Sequence, residues 1–105
     1  MATPHTPTIS AKRAIRKIGD DLRKARLRRR LPMEVVATRA FVSRGTLARV
    51  EKGDPAVSFG IYASVMQALG LIGPLGDVLA DDPVGAELAD EQLPKRVRAR
   101  KAMPA

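Results

Sequence analysis

The chain has 105 residues, with 19 Lys and Arg against 11 Asp and Glu, a net charge of +8, a single His and neither Cys nor Trp. That length bounds one small domain with tails, and the missing Cys and lone His5 exclude disulfides, thiolate chemistry, Cys-based zinc sites and a His-based triad. No apolar run approaches the roughly 20 residues of a membrane span, and the opening Met-Ala-Thr-Pro-His-Thr-Pro-Thr lacks the basic and apolar regions of a signal peptide, so a cytoplasmic protein with an anionic partner is expected.

Residues 1–9, rich in Thr and Pro, read as a disordered N-terminus. Ser10 is placed to cap a first helix running to about Arg30, with Ile15, Ile18, Leu22, Ala25 and the stem of Arg26 on one face. Gly19 weakens it by about 1 kcal/mol relative to Ala. Pro32 suits the first position of a second helix ending at Ala40. Ser43 is a strong N-cap for a third, Arg44 to Lys52, closed by Gly53 and Asp54-Pro55. Ser58 caps a fourth, Phe59 to Leu69, with Phe59, Tyr62, Ala63, Val65, Met66 and Leu69 as its apolar set and Gly70 as its stop. A fifth short helix is expected at about Leu75 to Ala80, after Gly73-Pro74. Gly85 to Leu93 reads as a helical turn or a strand, and Pro94 to Ala105 as an unstructured tail. No segment sustains a period of two, so the fold class is all-α.

Charge is segregated along the chain. Residues 11–52 carry +10, residues 53–94 carry −7 with no Lys or Arg, and residues 95–105 carry +5. Adjacent stretches that differ this much point the basic one at a polyanion, of which nucleic acid is the commonest.

The informative stretch is Leu31 to Gly53, LPMEVVATRAFVSRGTLARVEKG. Two short helices flank a turn at Phe41-Val42-Ser43. Ala37 is small where the helices must cross, and Val36, Val42, Leu47 and Val50 supply a buried side. Arg44, Gly45, Thr46, Ala48 and Arg49 remain outside. This is helix-turn-helix logic: one helix positions, and the next presents its first side chains to a major groove.

In these residues the chain resembles the Cro/CI-type (XRE) repressors: Glu34-x-x-Ala37, Val42-Ser43, then Arg44-x-Thr46-Leu47-x-Arg49-Val50-Glu51-x-Gly53, with Leu22-Arg23-x-x-Arg26 upstream and Ala68-Leu69-Gly70 downstream. The resemblance implies a five-helix, lambda-repressor-like DNA-binding domain over residues 10–80, binding a palindromic operator as a two-fold homodimer. It also implies a structural ion pair between Arg26 and Glu51. Two departures stand out. Met33 replaces a Gln that binds phosphate in the family, and Phe41 replaces the turn glycine. A Phe with positive φ is costly, so either the turn differs or Phe41 packs against a partner.

Arg44, Gly45 and Arg49 are the expected base contacts. Each Arg is suited to guanine O6 and N7, with a phosphate contact as the alternative. Ser43, Thr46, Lys52, Ser58 and Arg39 are expected at the DNA backbone, joined by one of Lys12, Arg13, Arg16 and Lys17. Arg28, Arg29 and Arg30 favour the end of the first helix through its dipole. Leu69, Leu71, Ile72, Leu75, Val78 and Leu79 form the expected dimer surface, closure of the monomer core being the other use for them.

Residues 81–105 divide into an acidic linker (Asp81, Asp82, Glu87, Asp90, Glu91) and a basic C-terminal tail. With them the layout is similar to that of HipB-like antitoxins, which repress their own operon and bind a HipA-like kinase toxin. The resemblance implies a dimeric autorepressor of this kind. The alternative is a protein-interaction module that binds and inhibits a toxin with only weak DNA binding. No nucleophile–base pair, phosphate loop or metal-ligand spacing supports an enzyme, and neither cofactor nor metal is expected.

Overall fold

Among the described residues five α-helices follow one another: α1 (Ile9–Arg28), α2 (Met33–Ala40), α3 (Arg44–Glu51), α4 (Phe59–Ala68) and α5 (Ile72–Gly76). They are seen in a computed structural model that describes residues 5–87 and 93–97. A single 3-10 turn follows at Gly85–Glu87, and no strand occurs among the described residues. The fold is a small all-α helix-turn-helix fold.

The cap of α1 is Thr8, not Ser10. Thr8 Oγ1 accepts the Ala11 N–H at 3.2 Å, and Ser10 lies inside the first turn. The helix therefore starts earlier than its sequence signal. It also stops at Arg28, because Arg30 turns into the left-handed region at φ 52°. There the Leu31 N–H returns to the Arg26 carbonyl at 3.2 Å and the Arg30 N–H to that of Leu27 at 3.0 Å. This pair of backbone bonds around one left-handed residue satisfies carbonyls that the helix end would otherwise orphan.

The same closure ends the next three helices. Around Phe41 (φ 58°), Val42 N–H donates to Ala37 O at 3.0 Å and Phe41 N–H to Thr38 O at 3.2 Å. Gly53 (φ 71°) and Gly70 (φ 75°) do the same for α3 and α4. Four successive corners thus share one backbone device, filled by Gly in two cases and by Arg and Phe in the others. The turn does not rearrange to suit Phe41; Phe41 adopts the strained conformation, and its ring is 95% exposed.

The fifth helix lies at Ile72–Gly76 rather than Leu75 to Ala80. Pro74 falls in its first turn, where N–H groups have no intrahelical acceptor, so the Pro is tolerated inside the helix instead of preceding it. Of the segment from Gly85 to Leu93, residues 88–92 lie outside the described residues, as do residues 98–105 of the tail. Residues 93–97 show no regular structure.

Val36, Leu47, Val50 and Val65 are fully buried at the centre, surrounded by Leu22, Ala25, Ala37, Ala40, Val57, Tyr62 and Leu69. Phe59, counted with the apolar set of the fourth helix, is exposed on the first turn of α4. α1 crosses the end of α3 at Gly19. A Cβ there would collide with the Val50 carbonyl and lie 2.6 Å from the Gly53 nitrogen, while one on Gly53 would collide with the Arg16 Cα. Gly19 weakens α1 in isolation, yet it is what lets the two backbones touch.

Candidate nucleic-acid interface

Leu47 and Val50 are one turn apart on α3, and both point into the core beside Val36 of α2. Their burial fixes the rotation of α3, which leaves Arg44, Gly45 and Arg49 exposed and Thr46 and Ala48 half-buried. Ala37 and Ala40 are buried without bulk, so α2 and α3 pack closely across the turn. Val42 closes that turn as a half-buried contact with the core.

Ser43 caps α3. Its Oγ accepts the Thr46 N–H at 3.0 Å and donates to Thr46 Oγ1 at 2.9 Å. Both polar functions of Ser43 are therefore engaged, and the hydroxyl hydrogen left free at this helix start is that of Thr46. At Gly45 the nearest atom to a built Cβ would be Ser43 Oγ at 3.9 Å. The fold itself does not demand Gly45, and its effect is to leave the outer backbone of α3 bare beside Arg44.

Both outward arginines of α3 are paired to carboxylates. Arg44 Nη1 lies 2.9 Å from Glu34 Oε1 at the start of α2, with both side chains about two-thirds exposed. Arg49 Nε donates to Asp54 Oδ2 at 2.8 Å. The hydrogen bond from Arg49, then that from the Ala56 N–H, holds the Asp54 carboxyl below the ordinary carboxylate range. Glu34 and Asp54 were not among the site residues expected from sequence. Asp54 was visible there only as half of a helix-ending Asp-Pro, and nothing marked Glu34 as a partner of Arg44.

Behind this surface, Arg26 and Glu51 form a two-pronged pair, Nε–Oε2 at 2.7 Å and Nη2–Oε1 at 3.0 Å. Arg26 Nη1 also donates to the Leu31 carbonyl at 3.1 Å. The side chains are only 10% and 7% exposed. The hydrogen bond to Glu51 raises the Arg26 pKa against the opposing effect of burial. The pair ties α1, the α1–α2 loop and the end of α3 together, and neither member is free to meet a ligand.

The other expected residues are dispersed. Lys52 is exposed just after α3 and lines a cleft with Arg13, Arg16 and Lys17 of α1. Lys17 is paired with Asp21 at 2.8 Å. Ser58 Oγ accepts the Ile61 N–H at 3.3 Å as the cap of α4. Arg39 is exposed on α2. Arg29 folds back to donate to the Ala25 carbonyl at 3.0 Å, closing α1. In the apolar set, Leu69 is a core residue at 4% exposure and offers no surface. Leu71 and Leu75 are half-buried, whereas Ile72, Val78 and Leu79 are exposed. The described residues contain no acidic or His cluster suited to a metal ion, and no helix among them is long and apolar enough to cross a membrane.

A family model described as a helix-turn-helix domain matches residues 17–79, more than half of the chain. No curated protein and no solved structure matches it.

Proposed function

Because the chain belongs to the helix-turn-helix domain family, a family of DNA-binding regulators, we propose that it is a sequence-specific transcriptional repressor that binds a palindromic operator as a homodimer. The observation that carries this reading is α3 itself. Its core side is fixed by Leu47 and Val50, and its outer side offers Arg44, Arg49 and the bare backbone at Gly45. Arg44 and Arg49 would read guanines in the major groove. Thr46, Lys52, Arg39, and the capped starts of α3 and α4 at Ser43 and Ser58 would meet phosphates and set the register.

One such module covers too little DNA for tight binding, so two-fold pairing is part of the proposal, with half-sites about 10 base pairs apart. Ile72, Leu75, Val78 and Leu79 are the surface proposed for pairing. Leu75 and Val78 line an apolar groove of about 310 Å³ together with Ile18, Met66 and Leu71. The HipB-like layout narrows the proposal to an antitoxin that represses its own operon and binds a HipA-like kinase toxin.

The test is a gel-shift titration against DNA from upstream of the gene, at about 50 and 200 mM salt with competitor DNA. A discrete, competitor-resistant complex that weakens steeply with salt is expected. It should be lost in the Arg44→Ala/Arg49→Ala double variant. A complex indifferent to these two arginines would overturn base reading by α3. Loss of every shift under competitor would overturn sequence-specific binding and leave the alternative, a protein-interaction module that binds and inhibits a toxin with only weak DNA binding.

A further inference from the structure

We infer that Asp54 is a positioning residue for base recognition: it holds Arg49 by one edge of the guanidinium and leaves the opposite edge free to read guanine. The inference rests on the proposed reading of Arg49 as a base contact.

A guanidinium carries one N–H on Nε and two on each Nη. End-on recognition of guanine O6 and N7 uses Nη1 and Nη2 together. Asp54 takes only Nε, through Oδ2 at 2.8 Å. Its other oxygen, Oδ1, is committed to the Ala56 N–H at 2.8 Å and does not reach round to Nη2. The Arg49–Asp54 pair can therefore persist while Arg49 meets a base.

The Arg44 pair differs. Glu34 Oε1 lies 2.9 Å from Nη1, one of the two nitrogens that end-on reading uses, so this ion pair competes with base recognition by Arg44. Two arginines on one helix thus start differently, one held at Nε and one paired at a reading nitrogen.

Asp54 can act as a brace because its own position is fixed. Its N–H donates to the Arg49 carbonyl at 3.0 Å. Its carbonyl accepts from Val57 N–H at 3.3 Å and from Tyr62 Oη at 2.8 Å. Tyr62 is itself part of the buried core. A line of hydrogen bonds runs from the core through Tyr62 and Asp54 to the guanidinium of an otherwise exposed side chain. Arg is rich in rotamers, and ordering it on binding opposes recognition. Here part of that ordering is already present in the free protein, which favours one base over the others without any new contact to DNA.

The experiment begins with duplexes enriched by the full-length wild-type chain from a pool randomised over about 20 base pairs, two half-site spacings. The base pair read by Arg49 is the one whose preference disappears in Arg49→Ala. Asp54→Asn keeps an oxygen for the Ala56 N–H but turns a donor toward Arg49, and Asp54→Ser is the second variant that preserves the turn acceptor. Both should lose about tenfold in preference at that base pair. Their affinity for unrelated duplex DNA should not fall, and their melting temperatures should drop by no more than the few degrees that about 1 kcal/mol of exposed ion pair is worth. In the Arg49→Ala background Asp54→Asn should have no further effect.

Full discrimination retained by both Asp54 variants would overturn the inference. So would an equal loss on enriched and unrelated DNA that persists without Arg49, which would make Asp54 merely structural. Failure of the wild-type chain to enrich any sequence would instead refute base reading itself, and it would be seen before any Asp54 variant is made.

Discussion

Replacing Phe41 tests the backbone geometry of the turn most directly. Phe41 sits at φ 58° and ψ 39°, where an L-residue is destabilised by about 1–2 kcal/mol. Its ring is 95% exposed, so truncating it forfeits almost no burial. Phe41→Ala keeps the strained backbone and should leave stability nearly unchanged. Phe41→Gly removes the strain, although the freer unfolded chain returns about 0.5–1 kcal/mol of the gain. The net stabilisation is about 0.5–1 kcal/mol, which for a domain of this size raises the melting temperature by roughly 3–6 °C. Thermal unfolding followed by far-ultraviolet circular dichroism measures it for both variants and wild type side by side. If Phe41→Gly melts with Phe41→Ala, or below it, the left-handed conformation at this position is not a source of strain and the reasoning fails.

Gly19→Ala should destabilise by about 1–3 kcal/mol despite the better helix propensity of Ala, because the new methyl meets backbone rather than a movable side chain; chemical denaturation checks the sign. Glu51→Gln leaves Arg26 buried without its counter-charge and should cost about 3–5 kcal/mol, read in the same way. Tyr62 is the only tyrosine and there is no Trp, so phenolate absorbance reports it alone. Burial, then the Asp54 charge, raises its pKa above the ordinary 10.0. The associated stability is fully present below the unfolded value and is lost as pH rises through the folded one. The absorbance titration should therefore have its midpoint above that of the urea-unfolded chain, and Asp54→Asn should narrow the gap.

The caps at Ser43 and Ser58 and the left-handed glycines Gly53 and Gly70 were legible in the sequence because their signals are local. So was the buried side of α3, since Leu47 and Val50 fall at helical spacing. What the sequence obscured was tertiary. Gly19 read as a weak point within a helix, and only the neighbouring α3 backbone turns it into a contact. Phe41 posed a choice between a changed turn and a ring packed against a partner. The turn is not changed, because the closing bonds to Ala37 and Thr38 require it as it stands, and the ring is left exposed. Pro74 read as a boundary because a helix interior rejects Pro, yet α5 is so short that Pro74 still lies in its first turn. Leu69 read as surface for a partner, and α4 turns it inward instead. Glu34 lies ten residues before Arg44, on a different helix, so no periodicity joins them.

The backbone contact between Gly19 and Gly53, reinforced by the Arg26–Glu51 pair, makes α1 an outrigger for α3. Twenty residues of helix extend about 30 Å, and their basic first half projects beyond the crossing point. With no side-chain cushion at the crossing, a tilt of α1 is a tilt of α3. Whatever anionic surface seats Arg13, Arg16 and Lys52 therefore also sets the pitch at which Arg44 and Arg49 arrive. Such a rigid frame has little freedom to follow a groove of different width. Under the proposed sequence-specific DNA binding, tolerance to altered target sequences must then come from deformation of the DNA, and stiff duplexes should be rejected at positions that no side chain touches.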